Sequence, residues 1–268
     1  MFANARMYSL NPALGADWRT LLEWVIVRAE VDATVIDYPA PRPLSELWAR
    51  ADMGCAFMCG YPLARARPQP LVLAVPLPSP ERYAGRPLYC TDLVARADSG
   101  IATLADVWDR SLAFTTPDSM SGYQAPRRFF APHAAARGGK LFARTVGPLW
   151  TPRGVVDAVL AGQADLGPLD SYAHDLLRLH EPRLAARLRV IASTPFTPMP
   201  ALVGAAGIDT AAAQRLTAAL LEVEAAPELA QVRARLLLHG FARIPPSEYH
   251  ANIAAGLEAD ALGYAQLA

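Results

Sequence analysis

Residues 111–130 read SLAFTTPDSMSGYQAPRRFF, and the parsing of this stretch decides the fold. SLAFTTP is apolar and β-branched toward its end, as a buried strand is, and the small polar residues of PDSMSG then make a turn. The chain resumes as a helix through QAPRRFF, which Pro132 is expected to limit. A strand that passes through a Ser/Gly turn directly into a helix is half of a β-α-β unit, and such units pair their strands in parallel with helices on the faces.

The same alternation extends in both directions. Upstream, ARMYSL (5–10), ATVIDY (33–38), MGCAFMCG (53–60), PLVLAVPL and RPLYCTDLVARA read as strands. GADWRTLLEWVIVRA (15–29) and PLSELWARA (43–51) between them read as helices, the first with Trp18, Leu21, Leu22 and Val25 at helical spacing. A second series begins near residue 96. It runs through TLADVWD with Thr103 as a cap, SLAFTTP, KLFARTV, a helix in PRGVVDAVLAGQA, ADLGPLD, a helix in YAHDLLRLH and LRVIAST. Beyond TPFTPMPALVGA the pattern is helical to the end, apart from the RIPPSE break. No low-complexity linker separates the series. The expectation is an α/β chain of two lobes, with mixed, mainly parallel sheets covered by helices on both faces.

Composition narrows the function. With 53% hydrophobic and 19% charged residues the chain is globular, and 25 basic against 25 acidic residues exclude a nucleic-acid binder that relies on net positive charge. No apolar run is long enough to insert in a membrane. Cys55, Cys59 and Cys90 have no framework spacing and read as core residues. The five histidines are scattered, so no metal site is expected, and no glycine-rich phosphate or dinucleotide loop is present, so no cofactor is expected. MFANARMYSL lacks the basic start and apolar stretch of a secretory signal. Two compartments stay open: periplasmic if a leader was removed, cytoplasmic if the chain is complete.

Three readings compete for the 119–122 turn. A nucleophile elbow needs G-x-S-x-G, but the residues two and four before Gly122 are Met120 and Asp118, so the elbow fails. Ser119 or Ser121 capping the helix is the plain alternative. Anion binding is the third and fits best: two hydroxyls, and a glycine that admits close backbone approach, at the positive end of a helix. Tyr8 and Tyr61 follow strands, where open α/β sheets place ligands, and Tyr123 sits either in the site or beneath it. Thr151 is a cap candidate beside Arg153, which would be free to meet an anion. Asp170 either caps the next helix or faces a ligand amine or hydroxyl. Thr194 lies where the chain returns to the first lobe. His174 and His180 read as surface or packing residues, and Arg127 and Arg128 as a solvated basic face.

The stretches RPLYCTDLVARADSGIATLADVWDRSLAFTTPDSMSGYQAPRRFF, GVVDAVLAGQADLGPLDSYAHDLL and RVIASTPFTPMPALV resemble successive segments of the phosphate/phosphonate-binding family of ABC-transporter solute receptors. The resemblance implies the type 2 periplasmic-binding-protein fold. Lobe one would then comprise residues 1–94 with 192–268 and lobe two residues 95–191, the lobes closing on a cleft-bound ligand by a hinge motion. It further implies that Ser119, Ser121 and Gly122 hold an oxyanion, that Asp170 lies near the position meeting a ligand amine, and that Tyr8 and Tyr61 line the first lobe's side. Thr151-Pro152 replaces the family's usual Ser-His pair, which removes part of the phosphonate contact set. The expected function is binding of a small phosphate, phosphonate or carboxylate solute, with an ABC-transporter membrane component as partner. A cofactor-biosynthesis enzyme on the same fold and a ligand-sensing partner protein are the rivals, with Asp170 as the enzyme's first candidate base.

Overall fold

A computed structural model describes residues 1–268. The chain opens with β1 (Phe2–Asn4), α1 (Pro12–Arg28) and β2 (Thr34–Val35), followed by α2 (Leu44–Trp48), β3 (Met53–Met58), α3 (Gly60–Arg65) and β4 (Leu71–Pro78). Next come β5 (Thr91–Arg96), β6 (Ser111–Ala113), α4 (Ala125–Ala136), β7 (Arg144–Val146) and α5 (Pro152–Leu160). They lead to β8 (Leu166–Asp170), α6 (Ser171–His180), α7 (Pro182–Ala185) and β9 (Leu188–Ser193). Last are β10 (Ala201–Gly204), α8 (Thr210–Glu222), α9 (Ala230–Arg235), β11 (Leu238–Ala242) and α10 (His250–Ala261). These elements form two compact units, one of residues 1–88 and 198–249, the other of residues 89–197 and 250–268.

The first unit is built on a six-stranded sheet ordered β11-β4-β10-β3-β1-β2. β1 pairs in parallel with β2 and β3, whereas β10 runs antiparallel to β3 and β4, and β11 antiparallel to β4. Helix α1 starts where Asn11 Oδ1 accepts from the Leu14 N–H at 2.9 Å and Pro12 supplies a preset φ. Its Trp18, Leu21, Leu22 and Val25 are all fully buried, so the 3.6-residue spacing read from the sequence is the core-facing stripe.

The second unit has a five-stranded sheet ordered β9-β5-β8-β6-β7. β8, β6 and β7 are parallel neighbours, and β5 is antiparallel to both β8 and β9. Alternation along the strands sorts two cores. Leu93, Ala95, Leu112 and Leu166 face α4 through Phe130, Ala131 and Ala134. On the opposite face α5 lies against Gly167, where a Cβ would overlap the Val155 side chain and press on Val159.

Several expectations need correction. The chain enters the second unit at Tyr89, ahead of the boundary near residue 94 that the sequence suggests, and leaves it at Thr197, since β5 and β9 pair with each other there. Residues 250–268, expected in the first lobe, pack on the second unit, where Ala259, Tyr264 and Leu267 join the core beside Phe130. β11 falls in a stretch expected to be helical, because LLLHGFA reads as the tail of a helix until β4 offers it a partner edge. The strand expected at 33–38 shrinks to β2, and the one expected at 5–10 is a 3-10 turn, Arg6–Tyr8, following β1. Pro132 does not end α4. Its ring lies on the solvent side, and the packing of Phe130, Ala131 and Ala134 carries the helix on to Ala136.

Candidate functional site

β8, β6 and β7 run side by side in parallel, so their carboxyl ends share one end of the sheet. Each leads into a helical segment that opens with a side-chain cap. After β6, Ser119 Oγ accepts from the Gly122 N–H at 3.0 Å, at the head of a π-turn (Met120–Gln124) that continues into α4. After β7, Thr151 Oγ1 accepts from the Gly154 N–H at 2.9 Å and starts α5. After β8, Asp170 Oδ1 accepts from the Tyr172 and Ala173 N–H groups at 2.9 and 3.0 Å and starts α6. Capping therefore engages one oxygen of each of these side chains, while the hydroxyl protons of Ser119 and Thr151 remain available to donate.

Ser121 differs from its neighbours. Its half-buried hydroxyl takes no hydrogen bond within the protein, while its carbonyl accepts from Thr91 Oγ1 at 3.0 Å. Gly122 is required by close approach: a Cβ there would overlap Thr115 Oγ1 and lie 2.8 Å from Thr115 Cβ. The Thr115 hydroxyl beneath it is buried and has no partner.

Thr91, which sequence reasoning passed over, ties the predicted residues together. Besides reaching the Ser121 carbonyl, its N–H donates to Thr194 Oγ1 at 2.9 Å, and its carbonyl accepts the Thr194 N–H at 2.9 Å. It also lies opposite Asp170 in the β5–β8 register. Thr194 is thus a buried staple between strands. Asp170 is buried, and its negative charge opposes the positive end of α6. Burial raises the Tyr172 hydroxyl well above its ordinary pKa, with the Asp170 charge adding to the effect, so this tyrosine stays protonated.

Other residues leave the site. Tyr123 packs edge-to-face on Phe114, and its hydroxyl accepts from the Leu267 N–H at 3.3 Å. Arg153 is not free for an anion: it bonds Asp157 at 3.0 Å and Glu181 at 2.8 Å. Arg127 is not solvated either, being only 4% exposed. His174 is buried, with Nδ1 2.9 Å from Asp92 Oδ2, and Ser193 Oγ donates to Asp92 Oδ1 at 2.7 Å. No local signal pairs Asp92 with a histidine 82 residues away; the β5–β9 pairing and the docking of α6 do so.

In the first unit Tyr8 ends its 3-10 turn and is buried, edge-to-face with Phe57 at 5.0 Å and stacked near Trp18. Tyr61 opens α3 with a half-buried side chain, and its hydroxyl accepts from Arg65 Nη1 at 2.8 Å. Burial pushes the Cys55 thiol up to about 12, which makes it an inert core residue. No cluster of histidine, cysteine or acidic side chains is placed to hold a metal, and no helix is long and apolar enough to cross a membrane.

Residues 45–249 match the family model described as "ABC transporter, phosphonate, periplasmic substrate-binding protein". No curated protein sequence matches the chain. Among solved structures, the chain is similar to a binding protein component of an ABC phosphonate transporter from Pseudomonas aeruginosa, with TM-score 0.80 at 19% identity, covering 98% of this chain and 87% of that one. PhnD1 from Prochlorococcus marinus, solved with methylphosphonate, superposes with TM-score 0.75 at 14% identity over 97% of this chain and 98% of that one. A Xanthomonas citri protein solved with ATP gives TM-score 0.65 at 19% identity over 98% of both chains.

Proposed function

The chain belongs to the phosphonate-binding family of ABC-transporter periplasmic substrate-binding proteins, and from that membership we propose which of its residues hold the ligand. The oxyanion is received at the carboxyl ends of β6 and β7. Ser121 Oγ donates to it, and the hydroxyl protons of Ser119 and Thr151 turn outward to join. One observation carries this reading: Ser121 alone on its turn presents a half-buried hydroxyl with no internal partner, at the positive end of a helix. Gly122 permits the close packing that shapes the turn, and Thr91 and Thr194 hold the strand ends behind it. Asp170, the acidic group at the same sheet end, takes a ligand amine or hydroxyl. Tyr61 remains a candidate ligand contact, whereas Tyr8 and Tyr123 pack within their own units. A membrane component of an ABC transporter is the partner this role requires.

Hydrogen bonds to a charged group contribute about 1.5–3 kcal/mol each. Three of them gross about 4.5–9 kcal/mol before ordering costs, helix-terminus attraction and substituent contacts are counted, a scale compatible with about micromolar affinity. The comparisons support the receptor reading and lend nothing to a biosynthetic enzyme. Isothermal titration with methylphosphonate and inorganic phosphate tests it. Ser121→Ala is expected to weaken binding by about tenfold or more, as loss of a charge-assisted bond requires, with the thermal midpoint unchanged. Equal affinity in wild type and variant would remove Ser121 from the ligand set.

A further inference from the structure

Trp150, between β7 and the Thr151 cap, has a backbone φ of 63°. That left-handed conformation suits glycine, and a bulky residue holds it only where the surroundings impose it. Here they do. The Thr115 carbonyl accepts both the Leu149 N–H at 2.9 Å and the Trp150 N–H at 3.2 Å, and the Thr151 N–H closes onto the Leu149 carbonyl at 2.7 Å. The fold therefore explains the turn and leaves the tryptophan unexplained. The indole contacts no other ring and makes no hydrogen bond, and the residue is 38% exposed. Glycine would relieve the strain without giving up any such contact.

Thr115 is also the anchor of the anion turn. Its N–H lies 3.4 Å from the Gly122 carbonyl, and its side chain fills the space beside the Gly122 Cα. The Trp150 turn and the 119–122 turn are thus fastened to the same residue, at the same end of the sheet. We propose that Trp150 is a specificity-determining ligand contact. Its exposed indole packs against the carbon substituent of an organic phosphonate whose oxyanion sits on the Ser121 turn. An alkyl group gains dispersion and burial there, and an ammonium group would gain cation–π attraction. Inorganic phosphate has neither, so the indole selects for the organic anion. This inference rests on the oxyanion assignment above.

The test is calorimetric titration of wild type, Trp150→Gly and Trp150→Phe with propylphosphonate and with inorganic phosphate, beside thermal unfolding of each protein. Trp150→Gly is expected to unfold at the same or a higher temperature, because strain is relieved. It should lose about fivefold or more in propylphosphonate affinity, the scale of one aromatic contact, with phosphate affinity within about twofold. Trp150→Phe should retain most of the propylphosphonate affinity. A role in packing alone predicts the reverse pattern, a lower melting temperature with unchanged affinity, and that result overturns the proposal. So does an equal loss for both anions. If wild type binds neither probe, the oxyanion assignment fails and takes this inference with it; if wild type binds both and Trp150→Gly matches it, this inference alone fails.

Discussion

Arg127 offers the sharpest test of how the second unit is held together. Its guanidinium, on α4, donates to Asp260 Oδ1 at 2.6 Å, the Ala265 carbonyl at 2.7 Å and the Gly256 carbonyl at 2.8 Å, with the Tyr264 carbonyl at the 3.5 Å limit. Substitution by Met keeps much of the stem volume and removes every donor. Two short carbonyl contacts are then lost in a largely buried setting, at about 1–3 kcal/mol each. Asp260 matters far less: its side chain is 51% exposed, so water replaces the lost partner, and the ion pair is worth about 0–1 kcal/mol. One term runs the other way. Arg127 Nε is buried without an acceptor, and removing it recovers about 1 kcal/mol. The net expectation for Arg127→Met is a loss of about 2–4 kcal/mol, against less than about 1 kcal/mol for Asp260→Asn. Urea unfolding gives both values, and hydrogen exchange should show residues 250–268 losing protection in Arg127→Met only. Equal effects for the two variants, or a loss below about 1 kcal/mol for Arg127→Met, would refute the view that the carbonyl contacts, and not the ion pair, fasten the C-terminal segment.

Three further outcomes follow from the same geometry. Gly122→Ala must displace Thr115, so it should destabilise by about 1–3 kcal/mol and weaken anion binding; Thr115→Gly in the same chain should restore part of both, as a double-mutant cycle would show. His174→Ala strips Asp92 of a buried hydrogen-bond partner and should cost about 1–3 kcal/mol, measured by denaturant unfolding beside Ser193→Ala, which should cost about 1 kcal/mol. Burial pushes the Asp165 carboxyl up, but hydrogen bonds from the Ser111 hydroxyl and N–H, with Arg110 and Arg144, outweigh it and hold the group below its usual range. Its folded pKa is thus depressed, and the stability it contributes is present above the unfolded value of about 3.9 and lost as pH falls through the folded one. Asp165→Asn should therefore be less stable than wild type at pH 6 and lose less on acidification, with urea midpoints between about pH 2 and 6 as the check.

Strand and helix order in the second unit was legible because its signals are local. Ser119, Thr151 and Asp170 each stand where a hydrophobic run stops and a helical spacing begins, and each caps its segment within three residues. Gly122 could be singled out for the same reason, since a turn that brings backbone close to a side chain needs a residue without a Cβ. β11 escaped notice because an edge strand is defined by the neighbour that accepts it. Arg127 and Arg153 looked like surface charges because charge alone carries no information about carbonyls 129–138 residues away or a glutamate 28 residues away.

By itself, then, the sequence determined the α/β alternation, the parallel strands of the second unit and the turn that heads α4. These depend on periodicity, turn chemistry and capping, all of which act over a few residues. Only the tertiary structure decided that 250–268 belong to the second unit, that Thr91 binds Ser121 to Thr194, and that Asp92 and His174 form a buried pair. The same holds for which hydroxyls are occupied by capping and which, like that of Ser121, remain open. Such partnerships are set by where distant strands come to lie in the sheet, and the free energy that selects them is gained only when the whole unit packs.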